Sequence, residues 1–143
     1  PTEKDKAIAT EMMQQIGIWH LKDKVFSQMS GGEQQLTIIA RALTQQPTYI
    51  VMDEPTSALD FGNQLKVLQQ VKALQSQDIG IILSTHNPDH VFLCDSKVAV
   101  VKDHTIAALG TPDEVMTETL LKDLYEVEIK IINQKNRKIC FPL

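Results

Sequence analysis

The chain has 143 residues, 43% of them hydrophobic, and a formal charge of −4 from 14 basic and 18 acidic side chains. That length suits one domain, and the acidic balance argues against a grip on nucleic acid, which draws on a basic face. No apolar run approaches the ~20 residues needed to cross a bilayer, and Cys94 and Cys140 have neither CxxC nor metal-ligand spacing, which favours a reduced, cytoplasmic setting.

Ile8, Met12 and Ile16 share one face of a helix expected over Glu3–Ile16. A polar loop through Lys22–Ser27 leads to a second helix over Gly31–Thr44, ended before Pro47. The run Tyr49-Ile50-Val51-Met52 lacks polar alternation and reads as a strand buried on both faces. A helix follows over Asn63–Ser76, with Leu65, Leu68, Val71 and Leu74 on one side, then a second uninterrupted apolar strand, Ile79–Leu83. Beyond a short helix at Asp89–Leu93, Lys97–Val101 and Thr105–Leu109 read as strands joined at Asp103-His104. Thr111-Pro112-Asp113-Glu114 starts a helix as a capping box with proline at its first position. The tail, Glu126–Phe141, alternates around Gln134-Lys135-Asn136 and predicts a hairpin. Strand and helix alternate through the middle, which implies a parallel α/β sheet.

Three places carry chemistry. In Met29-Ser30-Gly31-Gly32-Glu33, Ser30 and Glu33 have the spacing of a reciprocal capping box. Each glycine there costs about 1 kcal/mol of helix stability relative to alanine. The pair makes sense if a phosphate must reach backbone N–H groups at the positive end of the helix; an ordinary capped helix is the plainer alternative. Asp53 and Glu54 follow the first strand, at the carboxyl end where α/β sheets place ligands. Asp53 suits Mg²⁺ held through water, and Glu54 suits a general base acting on an attacking water. A polar strand end that exits to solvent is the alternative. His86 stands beyond the second strand; a lone histidine is usually structural, but neighbouring strand ends converge in space.

Taken together, these residues resemble the nucleotide-binding domain of ABC ATPases. Met29–Glu33 looks like the family's LSGGQ signature with Met for Leu and Glu for Gln, and Gln35 falls where the family commonly has glutamine. Tyr49–Glu54 resembles the Walker B strand with its catalytic glutamate, Ser57-Ala58-Leu59-Asp60 the D-loop, and His86 the switch histidine. The stretches Gly110–Val115 and Leu120–Ile129 are similar to importers of iron-siderophore, haem and cobalamin. The resemblance implies a partial P-loop NTPase (RecA-like) sheet with an N-terminal helical subdomain and a C-terminal β-hairpin. Residues 1–45 would be the helical subdomain with the signature, 46–110 the C-terminal half of the ATPase core, and 111–143 the terminal helices and hairpin.

It also implies ATP and Mg²⁺ as cofactors and a head-to-tail homodimer, or pairing with a second nucleotide-binding domain. Permease subunits would place the protein on the inner face of the cell membrane; no nucleic-acid partner is implied. Ser30, Gly31, Gly32 and Glu33 would face the neighbour's nucleotide, Asp60 would link the two sites, Asp53 would serve Mg²⁺, and Glu54 and His86 would be catalytic. No G-x-x-x-x-G-K-[ST] occurs in these residues, so the phosphate-cradling loop is absent from them. The expectation is a C-terminal half that is inactive and poorly stable alone. Two other readings stand beside a transporter ATPase: a noncatalytic half-domain that regulates another protein, and an ABC ATPase that moves no solute.

Overall fold

The computed structural model describes residues 1–75, 78–135 and 137–143. They form two compact units, Pro1–Thr85 and His86–Leu143.

The first unit holds α1 (Glu3–Gln15), single 3₁₀ turns at Trp19–Leu21 and Phe26–Gln28, α2 (Gly31–Leu43), β1 (Tyr49–Met52), α3 (Phe61–Leu74) and β2 (Gly80–Leu83). Thr2 and Asp5 close a capping box on α1. Helix α3 begins two residues earlier than the apolar spacing predicts, because Asp60 accepts from the Asn63 N–H and caps it. The expected last residue of that helix, Ser76, lies outside the described residues.

Strands β1 and β2 pair in parallel, Tyr49 opposite Gly80 and Met52 opposite Leu83. A Cβ on Gly80 would sit 2.2 Å from Tyr49 Cδ1, so only glycine leaves room for that ring. Ile50 and Met52 bury against Ile39, Ala40 and Leu43 of α2 and Val67, Val71 and Leu74 of α3, with Ile16, Ile18 and Leu21 in the same core. Each such side chain contributes roughly 1.5–3 kcal/mol when fully buried. The expectation of burial on both faces is wrong: Val51 is 72% and Ile82 60% exposed. Successive strand side chains point to opposite faces, and in this unit the core lies against only one of them.

The second unit holds α4 (Pro88–Cys94), β3 (Val98–Lys102), β4 (Thr105–Gly110), α5 (Pro112–Val115), α6 (Glu118–Tyr125), β5 (Ile129–Gln134) and β6 (Arg137–Pro142). β3 and β4 form an antiparallel hairpin whose turn residues, Asp103 and His104, both have positive φ, 49° and 60°, as right-twisted two-residue turns require. Thr111 and Glu114 close the predicted capping box on α5. β5 and β6 form the predicted terminal hairpin, but it starts at Ile129 instead of Glu126. Glu126 is the left-handed C-cap of α6, so the chain is still leaving the helix there. Asn136, in the predicted turn, lies outside the described residues. Leu121, fully buried, anchors α6.

Candidate functional site

The tip of α2 is built as the sequence predicts. The Ser30 hydroxyl accepts from the Glu33 N–H at 3.3 Å, and the Glu33 carboxylate accepts from the Ser30 N–H at 2.8 Å. Lys24 donates to the same carboxylate oxygen at 2.8 Å. These donors, Lys24 first, hold the Glu33 carboxyl below the ordinary range. The two glycines differ in what they do. Gly31 is exposed, and a Cβ there would meet Leu59 Cδ2 at 3.2 Å. Gly32 is buried, and a Cβ there would stand 2.5 Å from Asn63 Cγ. Close packing of the two helix starts therefore accounts for Gly32 without any ligand, while Ser30 and Gly31 face solvent.

Asn63 in turn donates from its N–H to Asp60 Oδ1 at 3.0 Å and from its side chain to Oδ2 at 2.6 Å. Those bonds, the Asn63 backbone first, hold the Asp60 carboxyl low. Asp60 is thus the cap of α3, tied through Asn63 to the tip of α2. Beside this tip lies a cavity of about 380 Å³ bordered by His20, Ser30, Glu33, Asn63 and Lys66.

The acid pair sits beyond β1. Glu54 has φ 44°, a left-handed conformation uncommon for a residue with a side chain. Ser84, immediately after β2, clasps both acids: its hydroxyl donates to Asp53 Oδ1 at 2.5 Å and accepts from the Glu54 N–H at 2.9 Å. The parallel register sets Leu83 beside Met52, which delivers the next residue of each strand to the same end. Further along, Ser57 donates to the Glu54 carbonyl at 3.1 Å, and Gln64 donates to the carbonyls of Thr56 and Leu59 at 3.3 and 2.9 Å. The turn that carries Glu54 is thus held from both sides. Asp53 is exposed and Glu54 half-buried. Among the described residues no group of three or more His, Cys, Asp or Glu could hold a metal. The oxygen-only pair Asp53 and Ser84 does suit a hard cation that brings other ligands of its own, such as waters and phosphates.

His86 opens the second unit and is exposed. Its backbone carbonyl accepts from the Tyr125 hydroxyl at 2.8 Å. Asn87 caps α4 by accepting from the Asp89 N–H at 3.0 Å, and Asp89 accepts from the Cys140 N–H at 2.7 Å. Sequence reasoning missed Ser84, Asn63 and Tyr125. Ser84 alone carried a signal, as a hydroxyl at a parallel strand end two residues ahead of His86.

A family profile described as ABC transporter matches residues 2–57, the span that contains the tip of α2 and the acid pair. The chain belongs to the ABC transporter ATP-binding family. An ABC transporter ATP-binding protein of Haemophilus influenzae, itself uncharacterized, is 37% identical over 94% of this chain and 51% of its own length. A hemin import ATP-binding protein of Pseudoalteromonas translucida is 35% identical over 86% of this chain and 50% of its own. A solved metal-chelate type ABC transporter in an inward-facing conformation superposes with a TM-score of 0.91 at 30% identity, covering 100% of this chain and 59% of that one. The ABC ATP-binding chain therefore has the P-loop NTPase fold of these structures. It spans about half the length of the curated relatives it matches.

Proposed function

We propose that this chain is the signature-bearing half of an ATP-hydrolysing subunit that powers a metal-chelate importer through ATP-driven closure of two cassettes. The observation that carries the reading is the Ser84 clasp, which holds the Asp53 carboxylate and the Glu54 backbone N–H at the carboxyl end of a parallel strand pair. Asp53 and the Ser84 oxygen are hard ligands that would hold Mg²⁺ together with its waters and the ATP phosphates; when bound, the metal neutralises phosphate charge. Glu54, held in its turn, orients a water and takes its proton on the side-chain carboxylate. His86 donates a hydrogen bond toward the γ-phosphate. Ser30 and the exposed amide edge at Gly31 meet the nucleotide of the neighbouring cassette, with Glu33 closing the cap beneath them. Gly32 acts by letting α2 and α3 approach, and Asp60 lies on the surface shared by the two cassettes. Catalysis is positioning plus charge stabilisation. Similarity to hemin and metal-chelate transporters supports the solute class, and permease subunits would hold the pair at the inner membrane face.

In a complete cassette carrying these residues, Glu54→Gln slows ATP hydrolysis by about 10²–10⁴, the usual worth of a general base, and leaves ATP affinity unchanged because Glu54 holds no phosphate. Wild-type turnover in that variant removes Glu54 from the role.

A further inference from the structure

The residues around His86 are gripped from a distance in sequence. Between β2 and α4, His86 lies outside helix and strand, so no ladder sets the direction of its backbone. Two contacts do. The Tyr125 hydroxyl, at the last residue of α6, donates to the His86 carbonyl at 2.8 Å. Three residues on, Asp89 accepts from the Cys140 N–H of β6 at 2.7 Å, while Asn87 caps the helix between them. The platform under Tyr125 is itself fixed. Leu121 is fully buried, and Lys102 reaches the Asp123 carboxylate at 2.6 Å. Glu118 accepts from Lys130 at 2.8 Å and from the Ile131 N–H at 3.1 Å, which ties α6 to β5.

We propose that Tyr125 is a positioning residue for the reaction: its hydroxyl holds the His86 carbonyl, so that the terminal helix and hairpin aim the His86 side chain. The proposal rests on the assignment of His86 to the γ-phosphate. A carbonyl fixed at one end of a residue limits the peptide plane and with it the direction of the side chain. Freed of that bond, the imidazole samples positions off the productive one, and small misplacements lower the rate without weakening substrate binding.

The test compares Tyr125→Phe, His86→Ala and the double variant in a complete cassette carrying these residues, with kcat and KM for MgATP measured for each. Phenylalanine keeps the ring and removes the hydroxyl alone. Y125F is expected to lower kcat by about 3- to 10-fold, the worth of one hydrogen bond, with KM within about 2-fold of wild type by the same positional argument. In the H86A background the Y125F effect should vanish, since there is no imidazole left to aim. A merely structural role for Tyr125 would persist in that background. Full turnover in Y125F beside a crippled H86A overturns the proposal and leaves the assignment of His86 standing. A Y125F loss that persists undiminished on top of H86A overturns it as well. Wild-type turnover in H86A overturns the assignment itself, and the proposal with it.

Discussion

Substituting alanine at Gly32 isolates the packing that joins the tip of α2 to α3. The added Cβ would lie 2.5, 2.7 and 2.8 Å from Cγ, Oδ1 and Cβ of Asn63, so Asn63 must move. It cannot move freely, because its amide and side chain both donate to Asp60 at 3.0 and 2.6 Å. Overpacking of this kind costs typically about 1–3 kcal/mol, and losing the Asn63 side-chain bond adds up to about 1 kcal/mol. Alanine gains at most about 1 kcal/mol of helix propensity in return, so the net cost is roughly 1–3 kcal/mol. Gly31→Ala is the control: its Cβ meets Leu59 Cδ2 at 3.2 Å, the end of a flexible side chain, and the Ala58 carbonyl oxygen at an ordinary 3.9 Å, so propensity should win or break even. Trp19 is the chain's one tryptophan and lies in the first unit, so its fluorescence reports unfolding of that unit specifically. In urea melts G32A should lower the midpoint and G31A should not. For a unit of this size each kcal/mol corresponds to roughly 4–8 °C in Tm. A second alanine at Asn63 should relieve only part of the G32A penalty, because it removes Cγ and Oδ1 but keeps the Cβ that lies 2.8 Å away. Equal midpoints for G32A and G31A would refute the assignment of Gly32 to packing.

Ser84→Ala leaves Asp53 and the Glu54 N–H without their shared partner and should destabilise the first unit by about 1–3 kcal/mol, the worth of two net hydrogen bonds, read by the same Trp19 melt. Glu33 titrates below its ordinary value near 4.5, chiefly through Lys24. A depressed carboxyl contributes stability that is full above its unfolded value and lost as pH falls through its folded one. The Trp19 melting midpoint should therefore hold steady above about pH 5 and decline beneath it, and Lys24→Met should raise the Glu33 titration seen by carbon NMR. Burial first, and then the Asp89 charge, push the Cys140 thiol up from 9.0 to about 11, which cuts the thiolate fraction at pH 8 by about 100-fold. Alkylation at Cys140, followed by mass spectrometry, should be correspondingly slow and should quicken in Asp89→Asn.

What could be read from the sequence was written locally. Capping boxes at Ser30/Glu33 and Thr111/Glu114 are four-residue codes, and both form as read. Both hairpins and the strands before Asp53 and Ser84 also follow from short patterns. Most of the misses involve partners distant in the chain. Apolar strand residues say nothing about whether a second layer arrives, so Val51 and Ile82 were misread. Gly32 fits a ligand-facing glycine and a packing glycine equally well until Asn63, 31 positions on, is seen against it. The bonds from Ser84 to Asp53 and from Tyr125 to His86 span 31 and 39 residues, and no periodicity encodes them. The start of α3 is a local miss: Asp60, assigned only to an interface, caps the helix by accepting from the Asn63 N–H three residues on.

As the cap of α3, Asp60 also bears on how the tip of α2 responds to its surroundings. Its carboxylate fixes Asn63, Asn63 fills the space that Gly32 leaves, and Gly32 sits next to the Ser30 cap. Every link is a close contact between groups with one good arrangement, so a displacement at either end is passed on instead of absorbed by empty space. The loop before α3 and the tip of α2 therefore form one mechanical piece within the first unit. A load on Asp60 would be felt at Ser30 through Asn63, while the turn that carries Glu54 is braced on one side by Ser84 and Ser57 and on the other by Gln64 of α3.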